Sequence, residues 1–528
     1  AGEGDEEQPS QDALQNARNA INASEYTITL SCGRLTTGVS VPEWTAVFML
    51  AGSYSTSATS YLQTIFRVQT PANIDGKVKT KCYVFDFAPD RTLKMVAEAS
   101  KISAQAGKTT ASDRTIMGDF LNYCPVIAID GSKMKPYNVD GMLQQLKKAY
   151  TWKVVRSGFE DRHIYNDELN QLQDVDVKDF EDLKRIIGTS KQTKPPKDID
   201  INRQGLTNEE WEKIKEAQKK RKKDLSEEEK RLLEKKKEQQ ANKYKAISIL
   251  RGISIRIPLL VYGADVPFDK EITIENFPSL VDDASWAEFM PNGVDKTMFR
   301  KFSKYYDRDI FVAAARQIRD TAKSADELPV TERVEKIADL FATFKNPDKE
   351  TVLTPWRVVN MHIGDCLGGY NFFDPTYTDV IDEPRYVNQG KVTDETLGNP
   401  KARILEINSK TGLYPLYAAY SIFKARCKEI APEKLDAQTE ARIWRTTVAE
   451  NVYVICKTQM ARSITKRTLV GYTDGAINAH AFDDLLNQIS GSQANDFIKK
   501  VKRGSTFRSN NTEKDMKFGS MSIATTNE

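Results

Sequence analysis

The run A402-R-I-L-E-I-N-S-K-T-G-L-Y-P-L-Y-A-A-Y-S-I-F423 constrains the fold most, because its periodicity changes within a few residues. Its apolar start reads as a strand, N-S-K-T-G as a tight loop, and the stretch entered at Pro415 as a helix. Proline is tolerated in the first helical turn, where its missing N–H leaves no bond unmade. A strand turning directly into a helix belongs to an α/β layer, and its loop carries backbone amides to a helix N-terminus suited to a small anionic or zwitterionic ligand. Upstream, T354-P-W-R-V-V-N-M-H362 offers Thr354 as a cap with Pro355 entering another helix. A plain strand–loop–helix unit with no ligand accounts for the same residues.

At 528 residues the chain exceeds what one hydrophobic core serves, which predicts about three to four domains. The 77 basic and 74 acidic residues nearly cancel, so no global field favours an acidic partner and any basic patch is local. Six scattered cysteines and three histidines suggest neither a disulfide framework nor a metal site. The acidic start is unlike a secretion signal, and I257-P-L-L-V-Y262 is too short to cross a bilayer, so a soluble cytoplasmic protein without membrane contact is expected. The first residue is not methionine, and residue 1 is read as an internal start.

Along the chain, residues 1–20 read as a flexible lead. Strands are expected at Y26-T-I-T-L30, T45-A-V-F-M-L50 and K81-C-Y-V-F-D-F87, with a helix at residues 60–68, which together suggest a buried, mostly parallel sheet within 21–105. Residues 106–205 are mixed and largely helical, ending in the linker S190-K-Q-T-K-P-P-K197. A charged helical hairpin is expected over 206–246, its helices opened by the capping boxes T207-N-E-E210 and S226-E-E-E229. Between them lies K219-K-R-K-K223, where Lys219, Lys220 and Arg221 are candidate DNA-phosphate contacts; a solvated helix with interleaved charges is the alternative. An α-rich connecting domain (247–345), an incomplete α/β domain (346–508) and a flexible tail (509–528) follow.

The segment G33-R-L-T-T-G-V-S-V-P42, the strand after it and Q63-T-I-F-R67 resemble the fifth and sixth motifs of superfamily-two helicases and translocases. The resemblance implies a RecA-like second lobe over 21–105. Thr37 and Gly38 would lie in the loop coupling ATP to nucleic acid, with Gln63 and Arg67 facing the nucleotide and Arg67 the candidate for stabilising transferred phosphate. The family pattern would have glycine at Phe66 and a second arginine at Thr70. No G-x-x-x-x-G-K-[ST] loop occurs, so ATP with magnesium would require a first lobe, and the chain alone is not expected to hydrolyse it.

The 354–362 and 402–423 segments, with E450-N-V-Y-V-I-C456, resemble the cofactor-binding half of adenine-specific DNA methyltransferases of restriction-modification systems. The resemblance implies a Rossmann-like fold and S-adenosylmethionine as cofactor. Thr354 and Pro355 match the family's first segment; Glu406 stands for its acid, Asn408 and Thr411 lie in the loop, and Gly412 is the final glycine. Lys410 occupies a glycine position, where a side chain would obstruct the loop or demand positive φ. Cys456 stands where the family holds ribose hydroxyls with an acid. No N-P-P-Y motif for the flipped adenine is present, and D515-M-K-F518 reads as the approach to the strand that would carry it.

The expected architecture is therefore α/β multidomain: a partial RecA-like lobe, a helical middle region and a partial Rossmann-like methyltransferase domain, truncated at both ends. The expected function is a fragment of an ATP-dependent restriction-modification enzyme acting on double-stranded DNA. A non-catalytic DNA-binding or interaction protein retaining degenerate forms of both folds is the alternative, favoured by Thr70, Lys410 and Cys456.

Overall fold

The computed structural model describes residues 10–30, 40–50, 64–74, 76–87, 127–130, 133–136, 139–170, 172, 174–187, 226–346, 353–481, 506–507 and 516–517. The chain divides into two compact units, one of Ala1–Tyr150 with Gln192–Glu238, the other of Thr151–Lys191 with Gln239–Glu528.

In the first unit, helix α1 (Ser10–Ala23) forms where a flexible lead was expected. Strand β1 (Ala46–Met49) pairs in parallel with β4 (Tyr83–Asp86), Ala46 opposite Tyr83, as expected, but Phe48, Tyr83 and Phe85 remain exposed, so the pair is not the buried sheet that the apolar runs suggested. Residues 26–30 form no strand. The short hairpin β2–β3 (Asn73–Ile74, Lys77–Val78) turns through Gly76 at φ +80°. Lys79 Nζ then donates to the Pro42 and Trp44 carbonyls, at 2.7 and 3.1 Å, and fixes the approach to β1. A second hairpin, β5–β6 (Ile127–Asp130, Lys133–Pro136), precedes helix α2 (Val139–Arg156).

The second unit is mostly helical around one parallel sheet. Its helices are α3 (Asp174–Ile187), the part of α4 (Glu227–Ser254) from residue 239, α5 (Ile257–Gly263), α6 (Asp283–Phe289), α7 (Lys296–Ser303), α8 (Arg308–Ser324) and α9 (Val330–Thr343). The capping box at Ser226 forms: Ser226 N donates to Glu229 Oε2 at 2.8 Å and Glu229 N to Ser226 Oγ at 3.2 Å. The helix it starts continues to Ser254, so residue 246 ends no element. Ala241–Gly263 is long and apolar enough to cross a membrane, but most of it is buried inside the protein, as befits a core helix.

Next come α10 (Trp356–Cys366), the antiparallel hairpin β7–β8 (Gly369–Phe373, Val380–Val387) and α11 (Lys391–Glu395). Strand β9 (Ile404–Ile407), helices α12 (Leu413–Cys427) and α13 (Ala437–Asn451), strand β10 (Val452–Cys456), helix α14 (Gln459–Val470) and strand β11 (Asn478–Ala481) complete the layer. The three strands are parallel in the order β11–β10–β9. All of β10 is buried, which explains its unbroken apolar sequence, whereas β9 at the edge leaves Ile407 53% exposed. Farther on, β12 (Thr506–Phe507) pairs with β13 (Met516–Lys517), so residues 516–517 of the expected loose tail are strand.

The boundary expected at 346 falls within this unit, because α5 and α9 are bonded to α14. Tyr262 meets Thr468, Ser463 donates to the Gly263 carbonyl at 2.5 Å, and Arg467 to that of Ala264 at 3.0 Å. Gly263 is required by proximity, since a Cβ there would stand 2.3 Å from Ile464 Cγ1. Arg333 is buried, pairs with Asp326 at 3.5 Å and donates to the Thr468 carbonyl at 3.1 Å. Residues 151–187 belong here too, through Phe180 against Phe302 and the pairs Lys301–Asp179 and Lys304–Asp176.

Candidate functional site

The strand–loop–helix run folds as its sequence suggested: β9 ends at Ile407, Gly412 caps α12 from the left-handed region, and Pro415 stands in the first turn. Lys410 does not take the positive φ that its glycine position would have demanded. Positive φ falls at Asn408 (67°) and Gly412 (75°), and asparagine adopts that conformation at low cost.

The loop is held closely to its neighbours. The amides of Asn408 and Ser409 both donate to the Ile455 carbonyl, at 2.8 and 3.2 Å, so two donors expected to face a ligand are occupied by β10. Thr468 Oγ1 donates to the Thr411 carbonyl at 2.8 Å, and a Cβ on Gly412 would lie 3.0 Å from the Thr465 Cα. Thr411 and Gly412 therefore serve the packing of α14. Glu406 differs: burial lifts its carboxyl from the usual 4.5 to about 7, opposed by a hydrogen bond to Ser409, and its Oε2 is buried without a partner.

The two segments that resembled one cofactor site meet through Tyr414. Pro355 is the N-cap residue of α10, so Thr354 is not its cap as expected; Thr354 instead lies close enough to Tyr414 to act on its phenol. The Tyr414 hydroxyl also lies 2.9 Å from His362 Nδ1, and Glu406 is close enough to raise the phenol electrostatically. In G364-D-C-L-G-G369 the first three residues end α10 and Gly369 begins β7, so the turn is made at Leu367 and Gly368, with Gly368 and Gly369 at φ of +74° and +93°. The hairpin tetrapeptide D374-P-T-Y377 is likewise structural: Asp374 accepts from the Thr376 hydroxyl and from the amides of Thr376, Thr378 and Asp379, which together hold its carboxyl down at about 2.

At the end of β10, Cys456 is fully buried, its Sγ 3.9 Å from Thr465 Oγ1, and burial pushes the thiol far above its ordinary range. It is a packing residue. Thr458, two positions on, caps α14 and donates to Glu288 Oε2 at 2.5 Å. Sequence reasoning missed Tyr414, Ser409, Thr458 and Glu288. The first two lay inside the quoted run as polar groups beside its turn, whereas nothing local to Glu288 signals its place beside a strand end.

In the first unit, Arg67 lies in the short 3₁₀ helix Phe66–Gln69, half-buried, with Thr70 Oγ1 donating to its carbonyl at 3.2 Å. Thr70 thus closes that helix. Thr37, Gly38 and Gln63, and Lys219, Lys220 and Arg221, lie outside the described residues. Among the described residues no group of three or more metal-binding side chains occurs.

No protein-family model matches the chain. Over 117 residues, 22% of its length, it is 36% identical to the Mycoplasma pneumoniae protein named "Putative type II restriction enzyme and methyltransferase RM.MpnORF110P C-terminus", 16% of which the match covers. A solved structure, "ATP-dependent Type ISP restriction-modification enzyme LlaBIII bound to DNA", aligns with 93% of this chain and 30% of its own, at 12% identity and a TM-score of 0.25. That TM-score is too low for the likeness to carry an argument. The chain is thus similar over about a fifth of its length to a restriction-modification protein, and it spans a small part of that relative.

Proposed function

We propose that the chain is part of an ATP-dependent restriction-modification enzyme that couples a helicase-type motor to adenine-specific methylation of double-stranded DNA. The second unit, read as a Rossmann-like methyltransferase portion, binds S-adenosylmethionine at the C-terminal ends of β9 and β10. One observation carries this reading: in the first turn of α12, the Tyr414 hydroxyl lies 2.9 Å from His362 Nδ1 and close to Thr354 and Glu406, uniting two sequence segments about fifty residues apart at the sheet end where α/β proteins hold nucleotides. The buried, unpartnered Oε2 of Glu406 suits a cationic or hydroxyl donor, such as the ammonium of the cofactor's amino-acid part. When bound, the cofactor supplies an electrophilic methyl group; the chain's residues hold and orient it. The similarity to the Mycoplasma pneumoniae protein supports the methyltransferase reading.

The first unit is read as a RecA-like lobe, with Arg67 directed at ATP and magnesium shared with another lobe, and Thr37, Gly38 and Gln63 completing its edge. Lys219, Lys220 and Arg221 are read as phosphate contacts, and neutralising them is expected to flatten the salt dependence of duplex binding. An intracellular location follows from a DNA substrate. A second reading, a non-catalytic DNA-binding protein with a degenerate cofactor loop, is favoured by the Asn408 and Ser409 amides, which β10 already occupies. Equilibrium dialysis of the full chain against radiolabelled S-adenosylmethionine separates the two. Saturable binding is expected, and none at roughly millimolar cofactor would overturn the methyltransferase reading.

A further inference from the structure

A second carboxylate reaches the C-terminal end of the sheet from outside the strand–helix layer. Glu288 belongs to α6, yet its Oε2 accepts from Thr458 Oγ1, at the residue that caps α14 directly after β10. Its helix is fixed there a second time: Ser285 Oγ accepts from Met460 N at 3.0 Å and donates to Asp282 Oδ2 at 2.6 Å. This tether uses only one carboxylate oxygen. The other, Oε1, is buried with no hydrogen-bond partner, a costly state for an acceptor. Lys410 of the β9–α12 loop and Lys457 of the β10–α14 loop both act on Glu288 electrostatically, so it lies within the field of both loops of the candidate site.

We propose that Glu288 Oε1 is a ligand-binding acceptor, contributed by the helical region, for the vicinal hydroxyls of a nucleoside held at this sheet end. The assignment rests on the S-adenosylmethionine reading. An ionised carboxylate only accepts, and a pair of adjacent hydroxyls can donate to it in two charge-assisted bonds. Cys456 cannot fill that role, because its thiol is turned into the protein against Thr465. Burial raises the Glu288 carboxyl above its usual range, and the bond from Thr458 and the two lysines act against that shift, toward the ionised form such a ligand needs. A tether alone would not require a carboxylate, since a glutamine oxygen accepts from Thr458 equally well.

The test is calorimetry on the full chain and its Glu288→Gln variant, with S-adenosylhomocysteine and its 2′,3′-dideoxy analogue as probes. Thermal denaturation of both proteins confirms that the variant is folded. Glu288→Gln is expected to weaken S-adenosylhomocysteine by roughly tenfold or more while leaving the weaker dideoxy analogue within about twofold. Equal losses for both ligands, or no loss for either, would reduce Glu288 to a helix tether while leaving the cofactor reading intact. Failure of the unmodified chain to bind either ligand would overturn the cofactor reading and this assignment together.

Discussion

The β1–β4 pair and the β9–β10–β11 sheet are both parallel and both rich in apolar residues, but they are covered very differently. Phe48 and Phe85 stack on each other at 4.8 Å in the first and remain 57% and 45% exposed; every residue of β10 is buried. Parallel strands are stable where helices cover both faces, because their side chains on either face are apolar. In the second unit α12, α13 and α14 supply that cover, and α5 and α9 brace α14 from behind with buried polar bonds. The comparison teaches that an apolar strand pattern fixes strand character, while the depth of burial depends on which other segments arrive.

That contrast can be broken most sharply at Arg333. Replacing it with methionine removes the partner of Asp326 and leaves a carboxylate in a buried network, so a loss of about 3–5 kcal/mol is expected. Urea denaturation followed by tryptophan fluorescence measures it; a loss below about 1 kcal/mol would mean that this brace does not hold the second unit together.

Glu406 offers a pH-dependent test of the same unit. Its carboxyl titrates at about 7 when folded, against a usual 4.5, so the unfolded chain releases its proton first as pH rises. Its contribution to stability is therefore intact below about pH 4.5 and is lost as pH climbs through 7. Glu406→Gln should have little effect on the urea midpoint near pH 4.5 and stabilise by up to about 3 kcal/mol near pH 8. A difference that does not change with pH would show that Glu406 is not the desolvated acid its surroundings imply.

The smallest effect is expected in the first unit. Phe48→Ser removes an apolar side chain that is already largely in water, and should change stability by less than about 0.5 kcal/mol while raising the soluble fraction on expression. A loss of several kcal/mol would show that the β1–β4 face is covered in solution.

Much of the candidate site was legible. The run from Ala402 to Phe423 announced β9, its turn and α12; the apolar run to Cys456 announced β10; and Ser226 with Glu229 announced a helix start three residues wide. Each depends on neighbours in sequence, through side-chain alternation, turn chemistry or a reciprocal cap. Spacing was less informative about what each polar residue faces. Thr411 and Gly412, read as part of a ligand loop, pack against Thr465 and Thr468. The positive φ expected at Lys410 falls two residues earlier, at Asn408.

By itself, then, the sequence determined many of the local elements: where most strands and helices of the second unit run and where they turn. Tertiary structure alone decided that residues 247–345 share a unit with the sheet, that Thr354 meets Tyr414, and that Glu288 stands beside Thr458, 170 positions away. The reason is physical. Backbone dihedrals and caps respond to residues within a turn or two, whereas a buried carboxylate is placed by the joint packing of helices whose separation along the chain leaves no periodic trace.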